Sequence, residues 1–227
     1  MSVNVEGYYQ ITKELNVTGA TLIAVSKTKP NEDIEVLYDL GHRNFGENYV
    51  QELVAKAEAL PKDIRWHFIG HLQSNKIKYI ASFVHLIHGV DSIKLLEAIN
   101  KEGKKINKKI NCLLQVHIAQ EETKFGFDQQ EALEAAQKIF KGVDFSHVTV
   151  CGLMGMASFS DDEAQVRKEF QTLKGLFDKI KDVEGAPSTF DTLSMGMSGD
   201  YRIAIEEGSN MVRVGSLLFG ARNYPTV

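Results

Sequence analysis

The chain has 227 residues, of which 43% are apolar and 25% charged, a composition typical of a globular domain. Its 26 basic and 30 acidic residues give a net charge of −4, which leaves no positive field to hold nucleic acid or an anionic membrane surface. No signal pattern and no apolar run of about 18 residues occurs, so we expect a cytoplasmic protein without a membrane span. Cys112 and Cys151 lie in apolar stretches and are expected to be reduced core residues.

Strand and helix patterns alternate along the chain, after a short leading helix near residues 5–16. Strands are predicted at 21–27, 43–46, 65–70, 85–90, 111–118, 148–154, 189–194 and 210–214. Helices are predicted at 31–41, 47–60, 75–82, 92–103, 128–141, 161–183, 199–207 and 216–222. Eight β/α units with short connections predict a (β/α)8 TIM barrel, with residues 1–227 as a single domain. A doubly wound parallel sheet is the alternative, because periodicity does not show whether a sheet closes.

The segment Thr21–Pro30 is a run of β-branched and apolar residues that reaches Lys27 just ahead of a predicted helix. Lys27 is therefore predicted at the carboxyl end of a buried strand, where parallel α/β folds place their ligand sites. Low-dielectric surroundings disfavour the charged form of an amine, and a neutral amine is what a Schiff base with an aldehyde requires. The alternative is a strand-end lysine that reaches into solvent.

Other polar residues follow the second, third and sixth predicted strands. Asn48 follows the second strand, and His71 follows the third. His71 is expected to form hydrogen bonds in a site, because His67 and His71 at this spacing on a strand do not build a compact metal site. With this histidine spacing, we predict no metal site. Met154 and Met156 are expected in the core or in a pocket wall.

Small and hydroxyl-bearing residues follow the seventh and eighth predicted strands. Ser194, Ser198 and Gly199 lead into one predicted helix, and Gly215 and Ser216 lead into the next. Barrels commonly bind phosphate at these two loops, since unpaired backbone N–H groups and the helix dipole favour an anion. The sequence therefore predicts a phosphate site at this corner. Simple N-capping by Ser198 and Ser216 is the alternative.

Arg213 lies in the otherwise apolar segment Met211–Gly215. A charge inside an apolar strand needs a partner or a ligand, because an unpaired buried charge is costly. Arg213 is therefore a candidate ligand-binding residue, and a buried ion pair with Asp191 or Glu47 is the alternative.

Six blocks of the sequence resemble the pyridoxal phosphate homeostasis protein family, in order and over nearly the whole chain. They are AVSKTKP (24–30), FGENYVQE (45–52), WHFIGHLQSNK (66–76), GLMGM (152–156), LSMGMSGD (193–200) and VRVG (212–215). The resemblance implies a barrel similar to the N-terminal domain of alanine racemase, with bound pyridoxal 5′-phosphate (PLP).

The resemblance also implies roles for individual residues. It places the Schiff base with PLP on Lys27, and it places Arg213 opposite the pyridine nitrogen. The phosphate match falls on Ser194, Ser198, Gly215 and Ser216. Asn48, His71 and Met156 match positions near the cofactor. Ser216 stands where threonine is frequent in the family, and it keeps the hydroxyl group.

The family is regarded as acting in vitamin B6 and amino-acid homeostasis without robust catalysis, and two features of the sequence agree. A cationic arginine opposite the pyridine nitrogen disfavours the protonated ring, which is the better electron sink. Racemases that share this barrel take a proton donor from a second domain, and only 12 residues follow Gly215. We therefore assign no catalytic residues and expect a monomer.

Three functions stay open on the sequence. The first is a PLP carrier or regulator that holds the reactive aldehyde and hands it to apo PLP-dependent enzymes, its candidate partners. The second is a PLP-dependent racemase or lyase acting on small amino acids. The third is a barrel that binds a protein partner and senses PLP. A second PLP-binding lysine at Lys29, Lys76 or Lys124 is also open.

Overall fold

A closed barrel of eight parallel strands forms the centre of the computed structural model, which describes residues 3–120, 125–141 and 145–220. Neighbours in the barrel are also neighbours in sequence, and the first strand pairs with the last to close it. The strands are β1 (Thr21–Val25), β2 (Asn44–Glu47), β3 (Arg65–Phe68), β4 (Leu86–Val90), β5 (Ile110–His117), β6 (Val148–Met156), β7 (Thr192–Met197) and β8 (Met211–Val214).

One helix precedes the barrel, further helices connect its strands, and the last follows β8. They are α1 (Val5–Thr18), α2 (Asn31–Asp39), α3 (Val50–Ala59), α4 (Ile77–Ile80), α5 (Ile93–Lys105), α6 (Gln129–Phe140), α7 (Glu163–Lys181), α8 (Tyr201–Glu206) and α9 (Ser216–Phe219). A 3₁₀ turn at Ser74–Lys76 leads into α4. Side chains fix several helix starts. Asn4 accepts the Gly7 amide at 2.9 Å at the start of α1, and Asp128 and Glu131 form a reciprocal capping box at α6.

The strand faces alternate between two apolar environments. Phe45 and Phe68 point outward and are fully buried in a large core that also contains Leu53 of α3. Leu113 and Met154 point inward and form a small separate cluster. The remaining interior of the barrel is partly polar, and those polar groups lead to the candidate site described below.

The prediction of a TIM barrel is confirmed, and pairing of β1 with β8 excludes the doubly wound sheet. The leading helix and the eight strands are where the sequence predicted them, with shifts at some ends. β7 begins and ends three residues later than the predicted 189–194, and β3 ends at Phe68 rather than residue 70. Lys124 lies outside the described residues. Within those residues, no helix has the length and apolar character needed to cross a membrane.

Candidate functional site

A cavity of about 540 Å³ opens at the carboxyl end of the barrel, where the strands give way to loops. Its lining comes from the carboxyl-terminal parts of β1, β6, β7 and β8 and from residues that follow β1, β2, β3, β6, β7 and β8. Seven of the nine predicted site residues line it: Lys27, Asn48, Met156, Ser198, Arg213, Gly215 and Ser216. The other two, Ser194 and His71, do not.

Lys27 lies two residues beyond the end of β1. It belongs to a tight turn, Ser26–Lys29, which is closed by a hydrogen bond of 3.1 Å from the Lys29 amide to the Ser26 carbonyl. The side chain of Lys27 is half-buried and lines the cavity together with Val25. The alternation of the strand continues into the turn, so Val25 and Lys27 face the cavity while Ser26 faces outward toward α3.

Asn48 follows β2 and brings an unpaired acceptor to the cavity. Its Oδ1 atom is buried, and no donor of the described protein reaches it. Such an acceptor is costly unless a ligand or water supplies a donor. Gly70 packs closely beside Asn48: a Cβ atom at Gly70 would lie 2.2 Å from the Asn48 carbonyl oxygen. The site is therefore suited to a ligand that carries a hydroxyl or N–H group near Asn48.

The first turn of α9 brings hydrogen-bond donors to the same cavity. The amides of Ser216 and Leu217 have no acceptor within the helix, because they lie in its first turn. Ser198 holds the start of this helix, since its Oγ accepts the Gly215 amide at 3.1 Å. The structure thus brings together Ser198, Gly215 and Ser216, as the sequence predicted. Ser198 contacts the loop that follows β8 and does not cap α8, the helix that follows its own loop.

Two residues of opposite charge border this corner. Asp200 accepts a hydrogen bond of 2.5 Å from the Met197 amide through Oδ1. Lys29 donates a hydrogen bond of 2.6 Å to the carbonyl of Phe219, at the end of α9. Because these charges oppose one another, an anion in this corner would be held mainly by the amides and hydroxyls.

Arg213 is buried on β8 and lines the cavity. Its guanidinium donates to the carbonyls of Ser194 at 2.9 Å and Gly155 at 3.0 Å, and to Ser194 Oγ at 2.6 Å. Within the described residues it forms no ion pair with Asp191 or Glu47. Burial lowers the pKa of Arg213 to about 10, so the side chain remains positive at neutral pH.

Ser194 is fully buried inside the barrel and does not line the cavity. Because β7 begins three residues later than predicted, Ser194 is the third residue of the strand rather than its last. Its hydroxyl oxygen lies 3.1 Å from His88 Nδ1 and accepts the bond from Arg213. Ser194 is therefore placed to orient Arg213, and it is not placed to reach a phosphate in the cavity.

A chain of hydrogen bonds continues from Ser194 across the barrel interior. His88 Nε2 lies 2.9 Å from His67 Nδ1, and His67 Nε2 lies 3.2 Å from Asn44 Oδ1. A guanidinium only donates and an amide oxygen only accepts, so every link is satisfied when both imidazoles carry their hydrogen on Nε2. Burial lowers the pKa of both histidines well below the usual range, which keeps them neutral. The chain thus holds Arg213 without a carboxylate.

His71 lies three residues beyond β3 and is exposed. Its Nδ1 is 3.2 Å from Asp91 Oδ2, and its ring stacks on Phe125 with 4.5 Å between ring centroids. A place for His71 near a cofactor therefore stays a prediction. Among the residues that the structure describes, no group of three or more His, Cys, Asp or Glu side chains could hold a metal ion.

Comparisons with known proteins identify relatives over nearly the full chain. The family model described as "Alanine racemase, N-terminal domain" matches residues 7–223. The pyridoxal phosphate homeostasis protein of Pasteurella multocida is 40% identical over 207 residues, covering 89% of this chain and 87% of the relative. This chain belongs to the pyridoxal phosphate homeostasis protein family.

Solved structures agree with membership of the pyridoxal phosphate homeostasis protein family. PipY of Synechococcus elongatus, solved without PLP, is 32% identical with a TM-score of 0.87, covering 95% of this chain and 99% of PipY. A second PipY structure has PLP bound and matches with a TM-score of 0.78, covering 89% and 93%. Alanine racemase of Clostridium difficile shares the fold at 16% identity and a TM-score of 0.75, covering 99% of this chain and 57% of the racemase.

In this member of the family, a Glu–Lys–Glu cluster (Glu47, Lys56 and Glu52) lies behind Lys27, with Glu47 and Lys56 buried and Glu52 half-buried. Lys56 Nζ donates to Glu47 Oε1 at 2.8 Å and to Glu52 Oε1 at 2.7 Å. Glu47 is fully buried, and its Oε2 atom has no hydrogen-bond partner among the described residues. Burial raises the pKa of Glu47 to about 7, against the opposing effect of Lys56.

The Glu47→Gln substitution is expected to remove a pH dependence from folding stability. The raised pKa means that the folded protein favours protonated Glu47, so this contribution is present below about pH 4.5 and is lost as the pH rises through about 7. The loss is about 3 kcal/mol by the conversion of pKa shift to free energy. Urea unfolding from pH 5 to pH 8 should therefore show the variant gaining stability over wild type as the pH rises. Parallel pH curves for the two proteins would contradict this expectation.

Two polar groups were not predicted from the sequence: the histidine chain inside the barrel and the Glu–Lys–Glu cluster between the barrel and α3. His67 and His88 each lie on a strand between apolar neighbours, and this was the available signal for an inward-facing polar residue. Glu52 and Lys56 form an i,i+4 pair of the kind that usually lies on an exposed helix surface. Their burial depends on how α3 packs, which the sequence does not show.

Proposed function

We propose that this protein binds PLP at the carboxyl end of the barrel and acts in intracellular PLP and amino-acid homeostasis without robust catalysis. The observation that carries the proposal is one cavity lined by Lys27, by buried Arg213 and by the first turn of α9. The names of the relatives and the PLP bound to PipY support it.

Each part of PLP has a chemically suitable neighbour in this cavity. The amine of Lys27, when unprotonated, would add to the aldehyde carbon, and the aldehyde oxygen would leave as water to give the Schiff base. The amides of Ser216 and Leu217, with the hydroxyls of Ser198 and Ser216, suit the phosphate group. The orphaned Oδ1 of Asn48 suits a hydroxyl donor, and the PLP ring carries one.

Weak or absent catalysis is proposed because of two features together, the charge on Arg213 and the proton donors that line the cavity. PLP supplies an electron-withdrawing ring, whose capacity as an electron sink is greatest when its nitrogen is protonated. Arg213 is cationic at neutral pH, and its hydrogen bonds go to Ser194 and to the Gly155 carbonyl rather than to a carboxylate, so it disfavours that proton. Among the described residues that line the cavity, there is no Tyr, His or Cys to serve as a second proton donor, and the two other titratable groups besides Lys27 and Arg213, Lys29 and Asp200, hydrogen bond to the backbone of Phe219 and Met197.

The cellular role follows from the reactivity of the cofactor. A free aldehyde modifies amines indiscriminately, so a protein that holds it reversibly limits its concentration and can pass it to apo PLP-dependent enzymes. We propose that residues 1–227 act as one domain, as a monomer, in the cytoplasm. Neither nucleic acid nor a membrane is proposed as a partner, in keeping with the net charge of −4.

The test is the visible absorption of purified protein mixed with PLP, before and after borohydride reduction, followed by peptide mass mapping. An absorption band that reduction fixes onto Lys27 is the expected result. Labels scattered over surface lysines, or no band, would refute the proposal. Incubation of the loaded protein with single amino acids tests the racemase or lyase alternative. Sustained loss of optical activity that depends on Lys27 would overturn the non-catalytic assignment.

A further inference from the structure

The turn that carries Lys27 has a strained backbone. Lys27 and Thr28 are the central residues of the turn Ser26–Lys29. Thr28 has φ 64°, a left-handed conformation that is unfavourable for a β-branched residue and that glycine adopts freely. A turn of this kind persists only where its surroundings hold it.

Helix α3 holds this turn from the side opposite the cavity. Lys56 Nζ donates a hydrogen bond of 2.8 Å to the Ser26 carbonyl, and Glu52 Oε1 accepts the Thr28 amide at 2.6 Å. Glu47 Oε1 also accepts the Ser26 hydroxyl at 2.6 Å. The backbone is thus fixed on both sides of Lys27, and the contact with Glu52 fixes the peptide unit that joins Lys27 to the strained Thr28.

Packing α3 against the barrel through the charged groups of the Glu–Lys–Glu cluster is energetically unfavourable compared with apolar packing. The side chain of Lys56 is only 6% exposed, and its three ammonium hydrogens serve Ser26, Glu47 and Glu52. Burying the Glu47–Lys56 pair costs desolvation energy that apolar side chains of similar size avoid, so a buried ion pair is weak evidence of stabilisation. Leu53 already packs α3 into the core. The cluster therefore requires an explanation other than attachment.

We propose that Glu52 and Lys56 are positioning residues, which hold the Ser26–Lys29 turn so that Lys27 points into the cavity. This inference rests on the proposed role of Lys27 in binding PLP. The two residues act through the backbone, because neither lines the cavity. Without them, the turn relaxes toward unstrained conformations, and Lys27 must be reordered each time it reacts with an aldehyde.

The first test compares Glu52→Ala, Glu52→Gln and Leu53→Ala. Glu52→Ala removes the acceptor for the Thr28 amide, and PLP affinity is expected to fall roughly tenfold, the size of one charged hydrogen bond. Glu52→Gln retains an acceptor oxygen and should recover most of the affinity. Leu53→Ala leaves a cavity in the same helix without touching the turn, so it should lower the melting temperature but not the affinity. PLP affinity that instead follows melting temperature across all three variants would overturn the proposal.

The second test uses Thr28→Gly to remove the backbone strain at residue 28, so that the turn no longer needs the cluster to hold its conformation. Glycine adopts the left-handed conformation readily, so the loss of affinity caused by Glu52→Ala should be smaller in the Thr28→Gly background. Equal losses in the two backgrounds would show that Glu52 does not act through this turn.

A readout without PLP separates this inference from the proposed function. Amide hydrogen exchange of the peptide containing residues 26–29 is expected to quicken in Glu52→Ala and in Lys56→Met, with Leu53→Ala unchanged there. If wild type forms no Schiff base while exchange still quickens, the proposed function fails and the holding of the turn stands. If the Schiff base forms on Lys27 and neither variant alters exchange or affinity, the inference fails and the proposed function stands.

Discussion

Replacement of Lys27 by alanine is expected to abolish the visible absorption band that PLP gives with the wild-type protein. The substitution removes the amine that forms the Schiff base but leaves Arg213 and the α9 corner in place. Non-covalent binding should therefore remain, weakened roughly 100-fold, equivalent to about 2.8 kcal/mol. Titration of absorbance and equilibrium dialysis, performed on the same samples, would measure the two effects separately.

Lys29→Ala is the matched control, since Lys29 lines the same cavity and belongs to the same turn. Its Nζ donates to the carbonyl of Phe219, so we expect its loss to affect α9 and to preserve the absorption band. Lys76→Ala tests the other described lysine weighed as a second site. A reducible PLP label that survives on Lys29 or Lys76 in the Lys27→Ala protein would show a second site. A band of undiminished strength in that protein would refute the role of Lys27.

The sequence predicted the barrel and most of the cavity lining because both depend on local patterns. Alternating strand and helix signals identify β/α units, and the carboxyl ends of parallel strands must share one face of the barrel. Lys27, Asn48 and Gly215 therefore reach one cavity even though the predicted strand ends were shifted by up to three residues. A loop that follows a strand tolerates such a shift, because the loop residue still lies near the mouth.

For Ser194, which lies within a strand rather than in a loop, a shifted strand boundary does change the predicted surroundings. A three-residue displacement of β7 moves it from the predicted end of a strand to its interior, and an inward side chain there meets Arg213 and His88 rather than the cavity. β3 likewise ends at Phe68 rather than residue 70, and His71 lies in an exposed loop beside Asp91. To predict the surroundings of a strand residue, the ends of that strand must be known accurately, and residue propensities do not give them.

The contacts inside the barrel, and those between the barrel and α3, could not be predicted from the sequence for a different reason. His67 pairs with His88 because β3 and β4 are neighbours in a particular register, and Ser194 completes the chain from the opposite part of the sequence. The burial of Lys56 likewise depends on how α3 rotates against β1 and β2. Register and rotation are tertiary properties, so residue patterns predict the faces of the elements but not these partners.

Gly70→Ala is expected to damage folding and PLP binding together, because the added methyl group meets backbone rather than a movable side chain. Its Cβ would lie 2.2 Å from the Asn48 carbonyl oxygen and 2.8 Å from the Asn48 Cα, so Asn48 must shift. Overpacking of this kind costs about 3 kcal/mol, and in a chain of this length the melting temperature should fall by roughly 10 °C.

Gly175→Ala is the control for Gly70→Ala, since Gly175 lies inside α7 and an added Cβ would meet nothing within 4 Å beyond the adjoining residues and backbone of its own helix. Alanine there should stabilise the protein by roughly 0.5–1 kcal/mol, because helix interiors favour alanine over glycine. Thermal unfolding and PLP titration of both variants would measure the contrast. A Gly70→Ala protein that matches wild type in both measurements would show that Asn48 can move freely, and the tight placement of Asn48 beside the cavity would then carry no binding energy.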